Sequence, residues 1–114
     1  MTIQVYGGRD TRAIRVYWML EELNVNYESV PIDFSKGEHR TSFFREINPA
    51  GKVPALRDEA VLLFESAAIL TYLAEKYPDK DLLPKLGCIE RAEVFQWMFY
   101  GMSELEQPLW TNAK

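Results

Sequence analysis

Asn48–Ser66 reads NPAGKVPALRDEAVLLFES, and this stretch decides the fold. Pro54 stands between the apolar residues Val53 and Ala55 at the mouth of a short β-rich run, Val53–Leu56. A second run, Val61–Phe64, follows after Arg57-Asp58-Glu59-Ala60, whose length and composition suit a hairpin. Glu65-Ser66 then opens the clearest helix of the chain, Ser66–Tyr77. Its Ala67, Ile69, Leu70, Leu73 and Ala74 form an apolar stripe of helical period, and Pro78 stops it. A strand edge at a proline offers main-chain hydrogen-bonding groups to a peptide-like ligand. A helix start offers unsatisfied N–H groups and a favourable dipole to a carboxylate. Side by side, the two features suit a small anionic peptide.

Upstream, Thr2–Tyr6 alternates and reads as a strand, broken by Gly7-Gly8. Thr11–Asn24 reads as a helix, with Ile14, Val16, Tyr17, Leu20 and Leu23 on its apolar face and Asp10 or Thr11 as N-cap. Asn26–Ile32 is a second strand, with Pro31 near its end. Strand, helix and strand with a short return imply a right-handed parallel βαβ unit. Asp33–Ile47 reads as a polar loop with a short helix around Ser42–Glu46.

Downstream, Pro78–Gly87 is rich in Pro, Gly and charge and reads as a linker whose leucine pair docks on a neighbouring surface. Cys88–Gln107 has helical periodicity and is expected to end before Pro108. Its middle, VFQWMFYGM from Val94 to Met102, is apolar almost all round and expects burial on several sides. One small domain does not bury Phe95, Trp97, Met98, Phe99, Tyr100 and Met102 together, which predicts at least a dimer.

The 114 residues suit one compact domain, or one small domain and part of another. With 47% apolar and 26% charged residues the composition is that of an ordinary globular protein. The net charge of −4 gives no basic surface for nucleic acid or anionic membrane. Lys36, His39, Arg40 and Arg45 do cluster, but Glu38 and Glu46 interleave with them. A single cysteine, Cys88, excludes an internal disulfide and any multi-cysteine metal site, and a single histidine leaves little for zinc. No apolar run approaches the ~20 residues of a membrane span, and Met1–Asp10 lacks signal-peptide character. These features predict a cytoplasmic, metal-free protein.

The order β-α-β, loop, β-β-α, with a proline opening the third strand, is the thioredoxin-like layout. The residues resemble the N-terminal domain of cytosolic glutathione transferases. RVYWMLEELNVNYE (Arg15–Glu28), INPAGKVPAL (Ile47–Leu56) and FESAAILTYLAEKYP (Phe64–Pro78) match that family in order, spacing and loop length. GEHRTSFFREINP (Gly37–Pro49) is most similar to its theta and phi branches, the serine-type members. The resemblance implies an α/β fold with a mixed four-stranded sheet over residues 1–78 and a linker at 79–87. Residues 88–114 would then be the first long helix of an incomplete all-helical domain, so the chain is expected to be truncated.

It also implies site roles. Val53-Pro54 would be cis and turn the Val53 N–H and C=O outward to pair with a cysteinyl backbone. Ser66 and the helix start would hold the γ-glutamyl carboxylate of glutathione, and Glu65 its ammonium. Lys52, His39 and Arg40 are candidates for the glycyl carboxylate. Lys52 is placed by the GKVP motif, whereas His39 and Arg40 lie in a loop and are equally explained as solvated charges.

The family's chemical step is activation of the glutathione thiol, since the thiolate is the nucleophile. A hydroxyl donating to sulfur beside the first helix lowers the thiol pKa. The available segment is Tyr6-Gly7-Gly8-Arg9-Asp10-Thr11-Arg12. Counting back from Arg15-Val16, the theta register puts Thr11 at that position and the phi register puts Asp10 there; neither is the usual serine. Asp10 would repel a thiolate, so Thr11 is the choice, with Tyr6 as a third candidate that more readily packs at the strand end. Cys88 lies too far along the chain to be the nucleophile, and the absence of CxxC argues against a dithiol oxidoreductase.

The implied function is a cytoplasmic, homodimeric glutathione transferase of detoxification. Its thiol would attack a hydrophobic electrophile or a peroxide, with glutathione as co-substrate and no further cofactor. Most of the second-substrate pocket would lie outside these residues. The alternative is a non-catalytic assembly module of the same fold. Such modules tend to lose the ligand-binding residues, whereas Lys52, Glu65 and Ser66 are all here.

Overall fold

Alternation of apolar and polar residues sets the sheet that carries the site. In a computed structural model describing residues 2–113, β1 (Ile3–Tyr6), β2 (Tyr27–Val30), β3 (Ala55–Asp58) and β4 (Val61–Phe64) form one sheet in the order β2-β1-β3-β4. β1 and β2 are parallel, while β3 runs antiparallel to both β1 and β4. Tyr6 at the end of β1 lies opposite Val30 on one side and Ala55 on the other. This is the mixed four-stranded sheet expected of the thioredoxin-like layout.

The pleat sends alternate side chains to two cores. Ile3 and Val5 join Val16, Tyr17, Leu20 and Leu23 of α1 (Ile14–Leu23) and Ile69 and Leu73 of α3 (Ser66–Lys76). On the other face Tyr6 and Ala55 pack with Phe44 and Ile47 of α2 (Ser42–Ile47) and with Val53. Each fully buried aliphatic side chain stabilises the unit by about 1.5–3 kcal/mol. Thr41 caps α2 by accepting from the Phe44 N–H at 3.2 Å. The loop before it is not irregular throughout: Phe34–Lys36 and Glu38–Arg40 form 3₁₀ turns.

Several boundaries differ from the sequence expectation. α1 starts at Ile14, three residues late, because Thr11, Arg12 and Ala13 form a turn that leads into it. β2 stops at Val30, before Pro31, which has no N–H to give the ladder. β3 starts at Ala55, which leaves Val53 and Pro54 outside the strand for the same reason.

The chain divides into two units, Met1–Tyr77 and Pro78–Lys114. The outer limits of the expected domains, Met1 and Lys114, lie outside the described residues. In the second unit α4 (Ile89–Tyr100) and α5 (Glu106–Ala113) are joined by a π turn, Gly101–Leu105. Pro108 therefore does not end the helical run. The proline lies in α5 just after the π turn, where the regular bonding pattern is already interrupted. Arg91 ties α4 to the segment before it by donating to the Pro84 carbonyl at 3.0 Å. Trp97 and Phe99 are 63% and 66% exposed, and Leu82 of the linker, expected to dock, is exposed too. No helix of the described residues is long and apolar enough to cross a membrane.

Candidate functional site

Three segments meet at one edge of the first unit: the turn between β1 and α1, the proline loop before β3, and the tip of α3. Gly7 has a φ of 124°, a conformation that L side chains rarely adopt. A Cβ there would stand 2.9 Å from the Val53 Cβ and 3.0 Å from the Ala13 Cβ, so the proline loop and the start of α1 close directly on the glycine. Two bonds hold this turn in place. The Gly7 N–H donates to the Val30 carbonyl at 2.9 Å, and the buried Tyr17 hydroxyl donates to the Gly7 carbonyl at 2.5 Å. Ser29 completes the arrangement at 2.6 Å from the Tyr17 oxygen.

Thr11 stands in this turn, half-buried. Its hydroxyl donates to the Gly8 carbonyl at 2.6 Å and accepts from the Ala13 N–H at 3.1 Å. The side chain thus caps the turn that delivers α1. Asp10 is exposed on the same turn. Tyr6 is elsewhere: its ring packs against Phe43 and Phe44, and its hydroxyl lies between Gln4 at 3.2 Å and Arg57 at 3.4 Å. The structure ties Thr11 to Gly8 and Ala13 in this turn, and turns Tyr6 into the second core.

The Val53–Pro54 peptide bond is cis. Among the described residues no backbone group pairs with the Val53 N–H or C=O. Asn48 shapes the loop leading to it, and sequence reasoning missed this residue. Only 2% exposed, it donates through Nδ2 to the Lys52 carbonyl at 2.8 Å and accepts through Oδ1 from the Ala50 N–H at 2.9 Å. Its carbonyl accepts from the Gly51 N–H at 2.9 Å. Gly51, at φ 66°, lets the loop pass so close to the His39 carbonyl that a Cβ would lie 3.0 Å from that oxygen. His39 is therefore beside the loop that carries Lys52, with its ring 4.7 Å from Phe34 and its Nδ1 buried without a partner among the described residues. Lys52 and Arg40 are exposed.

At the third segment Ser66 is the first residue of α3, 9% exposed, and Glu65 before it is held at φ 74°. A non-glycine residue there is strained, and such strain gathers at ligand sites. The Arg15 guanidinium donates to Ser66 Oγ at 3.1 Å. Ala13 and Val53 thus both flank Gly7, and Arg15, two residues after Ala13, reaches the α3 tip. The predicted main-chain edge and the predicted helix tip therefore both adjoin the segment from Gly7 to Arg15. Arg15 was not among the expected site residues, and a pairing across 51 positions leaves no local signal.

The perturbed titrating groups lie elsewhere, at the far end of β3. Asp58 is 4% exposed and accepts from the Tyr72 hydroxyl at 2.6 Å and from the Lys76 ammonium. Burial pushes its carboxyl up, but the Lys76 and Tyr72 bonds and the Lys76 charge outweigh this and hold it below the ordinary carboxylate range. The bond to Asp58 raises both Tyr72 and Lys76. This cluster pins the end of β3 to α3. Among the described residues no group of three or more His, Cys, Asp or Glu stands ready to hold a metal ion.

Residues 1–75 match the sequence profile of the glutathione S-transferase N-terminal domain. Glutathione S-transferase F9 of Arabidopsis thaliana is 36% identical over 96% of this chain and 51% of its own length. The crystal structure of poplar glutathione transferase F1 superposes with a TM-score of 0.87 at 35% identity, covering 95% of this chain and 52% of that one. A glutathione transferase homologue from Sulfitobacter, solved with bound glutathione, gives 0.81 at 32% identity, covering 90% and 49%. The chain spans about half the length of the curated relatives it matches.

Proposed function

This chain belongs to the glutathione S-transferase family, and from that premise we propose that its first unit binds glutathione and that the protein acts as a glutathione transferase. The observation that carries the reading is that one short segment meets Val53 at Gly7 and Ser66 at Arg15. The free main-chain edge at Val53 would pair with the cysteinyl residue as an added strand does. Ser66 and the α3 N–H groups would take the γ-glutamyl carboxylate, with Glu65 on the ammonium. Lys52, His39 and Arg40 would serve the glycyl carboxylate at the other end.

Between these two anchors the cysteinyl sulfur would face the Thr11 turn. Thr11 is proposed as its hydroxyl donor. The bond to the Gly8 carbonyl joins neutral groups, and a thiolate is the stronger acceptor, so the hydroxyl would swing to sulfur when the ligand is bound. The thiolate would then attack a hydrophobic electrophile or a peroxide. A homodimer, a cytoplasmic location and a role in detoxification complete the proposal. Exposed Trp97, Phe99 and Leu109 support association.

The engagement of the Thr11 proton at Gly8 also favours a second reading, a domain of this fold that binds without catalysis. The ultraviolet absorbance of the bound thiolate, followed against pH, separates the two. A transferase lowers the thiol pKa from its free value of about 8.5. Binding with no such shift selects the non-catalytic module, and no binding at all removes both.

A further inference from the structure

We propose that Tyr17 is the positioning residue of the thiol step, its hydroxyl fixing the Gly7-Gly8 peptide and through it the Thr11 side chain; the assignment rests on the transferase reading above. Two consecutive glycines have no side chains to hold them, and glycine has more backbone freedom than any other residue. Such a turn carries a donor to a defined place only when something outside it fixes its peptide planes. Tyr17 does this from the buried face of α1. It lies in the apolar cluster of Val5, Leu20, Leu56 and Ile69, where a leucine would pack without the cost of burying a phenol oxygen. Its hydroxyl donates to the Gly7 carbonyl at 2.5 Å. A phenol has one proton, so with that proton on Gly7 the Ser29 hydroxyl, 2.6 Å away, donates to the Tyr17 oxygen. Donation then runs one way, from Ser29 through Tyr17 to Gly7, and each bond polarises the next.

The path from Gly7 to Thr11 is short. A peptide unit is planar, so the direction of the Gly7 carbonyl sets where the Gly8 nitrogen and Cα lie. The Gly8 carbonyl accepts the Thr11 hydroxyl at 2.6 Å and the Thr11 N–H at 3.2 Å. The N–H bond keeps Thr11 tied to Gly8 when the hydroxyl turns to sulfur. The Tyr17 ring backs the same turn at a second point. The Arg9 guanidinium lies 5.4 Å from its centroid and donates to the Tyr27 hydroxyl at 3.4 Å. Tyr27, whose ring is 5.4 Å from that of Tyr17, donates in turn to Glu21 at 3.0 Å. One side chain thus holds both Gly7 and Arg9, the residues on either side of Gly8. Without the Tyr17 hydroxyl the Gly7-Gly8 peptide is free to rotate, which moves Thr11 relative to a sulfur held from Val53 and Ser66. Gripping the peptide and placing the donor are therefore separable.

Two measurements divide these roles: the pKa of the bound glutathione thiol, from thiolate absorbance against pH, and the affinity for S-methylglutathione, which has no thiol proton. Tyr17→Phe keeps the ring and removes the hydroxyl. The thiol pKa should rise by about half a unit or more, roughly threefold less thiolate at a pH below it, while S-methylglutathione affinity stays within about twofold. Ser29→Ala should raise the pKa by less, because Tyr17 keeps its bond to Gly7. In a Thr11→Val background, Tyr17→Phe should shift the pKa no further, since Tyr17 acts through Thr11. Thermal melting without ligand verifies folding, and Ser29→Ala carries the same readout where Tyr17→Phe does not fold. An unchanged thiol pKa in folded Tyr17→Phe, or in Ser29→Ala where that alone folds, overturns the assignment. So does an equal further shift in the Thr11→Val background, or S-methylglutathione affinity that falls along with the thiol effect. Each of these leaves the glutathione reading intact. A wild-type chain that binds neither ligand, or binds glutathione with its thiol still at about 8.5, overturns the transferase reading and the assignment with it.

Discussion

Gly7 and Val53 are in direct contact: the single hydrogen on Gly7 Cα occupies space where a methyl group would lie 2.9 Å from the Val53 Cβ. This contact sets the distance between the turn that carries Thr11 and the main-chain edge proposed to bind the ligand. Gly7 cannot accept a side chain on two counts, its φ of 124° and the Val53 and Ala13 side chains around it. Gly7→Ala should cost about 2–4 kcal/mol, read as a lower denaturation midpoint with an unchanged slope. Because the forced movement separates the turn from the proline loop, glutathione affinity should fall as well. A variant of wild-type stability would show that the turn adapts freely.

Asn48 is predicted to matter more than its distance from the ligand suggests. Asn48→Ala removes its bonds to Lys52 and Ala50 and leaves both backbone groups without their partner. The expected loss is about 2 kcal/mol of stability together with weaker glutathione binding, since the loop before Val53 loosens. Asn48→Asp, which keeps the acceptor for Ala50 but sets a buried carboxylate oxygen against the Lys52 carbonyl, should lose at least as much. Unchanged ligand affinity in folded Asn48→Ala would disconnect the loop's shape from the site.

Thr11→Val tests the thiol step and the turn separately. Loss of the bonds to Gly8 and Ala13 should lower stability by about 1 kcal/mol. Binding should remain nearly intact, while the pKa of the bound thiol rises; Thr11→Ser should restore both. Tyr6→Phe should leave the thiol alone, because its hydroxyl lies between Gln4 and Arg57. A thiol pKa that responds to Tyr6→Phe and not to Thr11→Val would reverse the assignment.

Acid stability should report on Asp58. Its carboxyl is depressed in the folded chain, so its contribution is complete above the unfolded value of about 3.9 and is lost as pH falls through the lower folded value. Melting temperature should therefore decline on acidification below about pH 4, and Asp58→Asn should start lower and decline less there. Lys76 acts in the opposite direction. Its pKa is raised, so its share is present at neutral pH and is lost only in strong alkali. An Asp58→Asn profile parallel to that of the wild type would show that other carboxylates govern the acid limb.

Much of this was legible in the sequence because local rules agreed with the global fold. The stripe Ile69, Leu73 and Ala74 is the buried face of α3, and the Val53-Pro54 pair stands where the strand ladder cannot begin. What escaped was long-range or set by side-chain geometry. Thr11 read as a helix cap, but the hydrogen bonds that convert its neighbourhood to a turn delay α1 to Ile14. Pro108 read as a stop, because nothing in Gly101–Leu105 announces a π turn. Asn48 carried one available signal, an amide directly before proline in a glycine-bearing loop. Arg15 carried none, since an arginine on a half-exposed helix face is ordinary until Ser66 is seen beside it.

The central claim is that Val53 and the α3 tip hold glutathione together, and titration calorimetry tests it most directly. The folded wild-type chain should give saturable heat with one site, and Ser66→Ala should weaken binding by about tenfold or more, the worth of a charge-assisted hydrogen bond. No heat at millimolar glutathione from a chain that melts cooperatively would contradict the account.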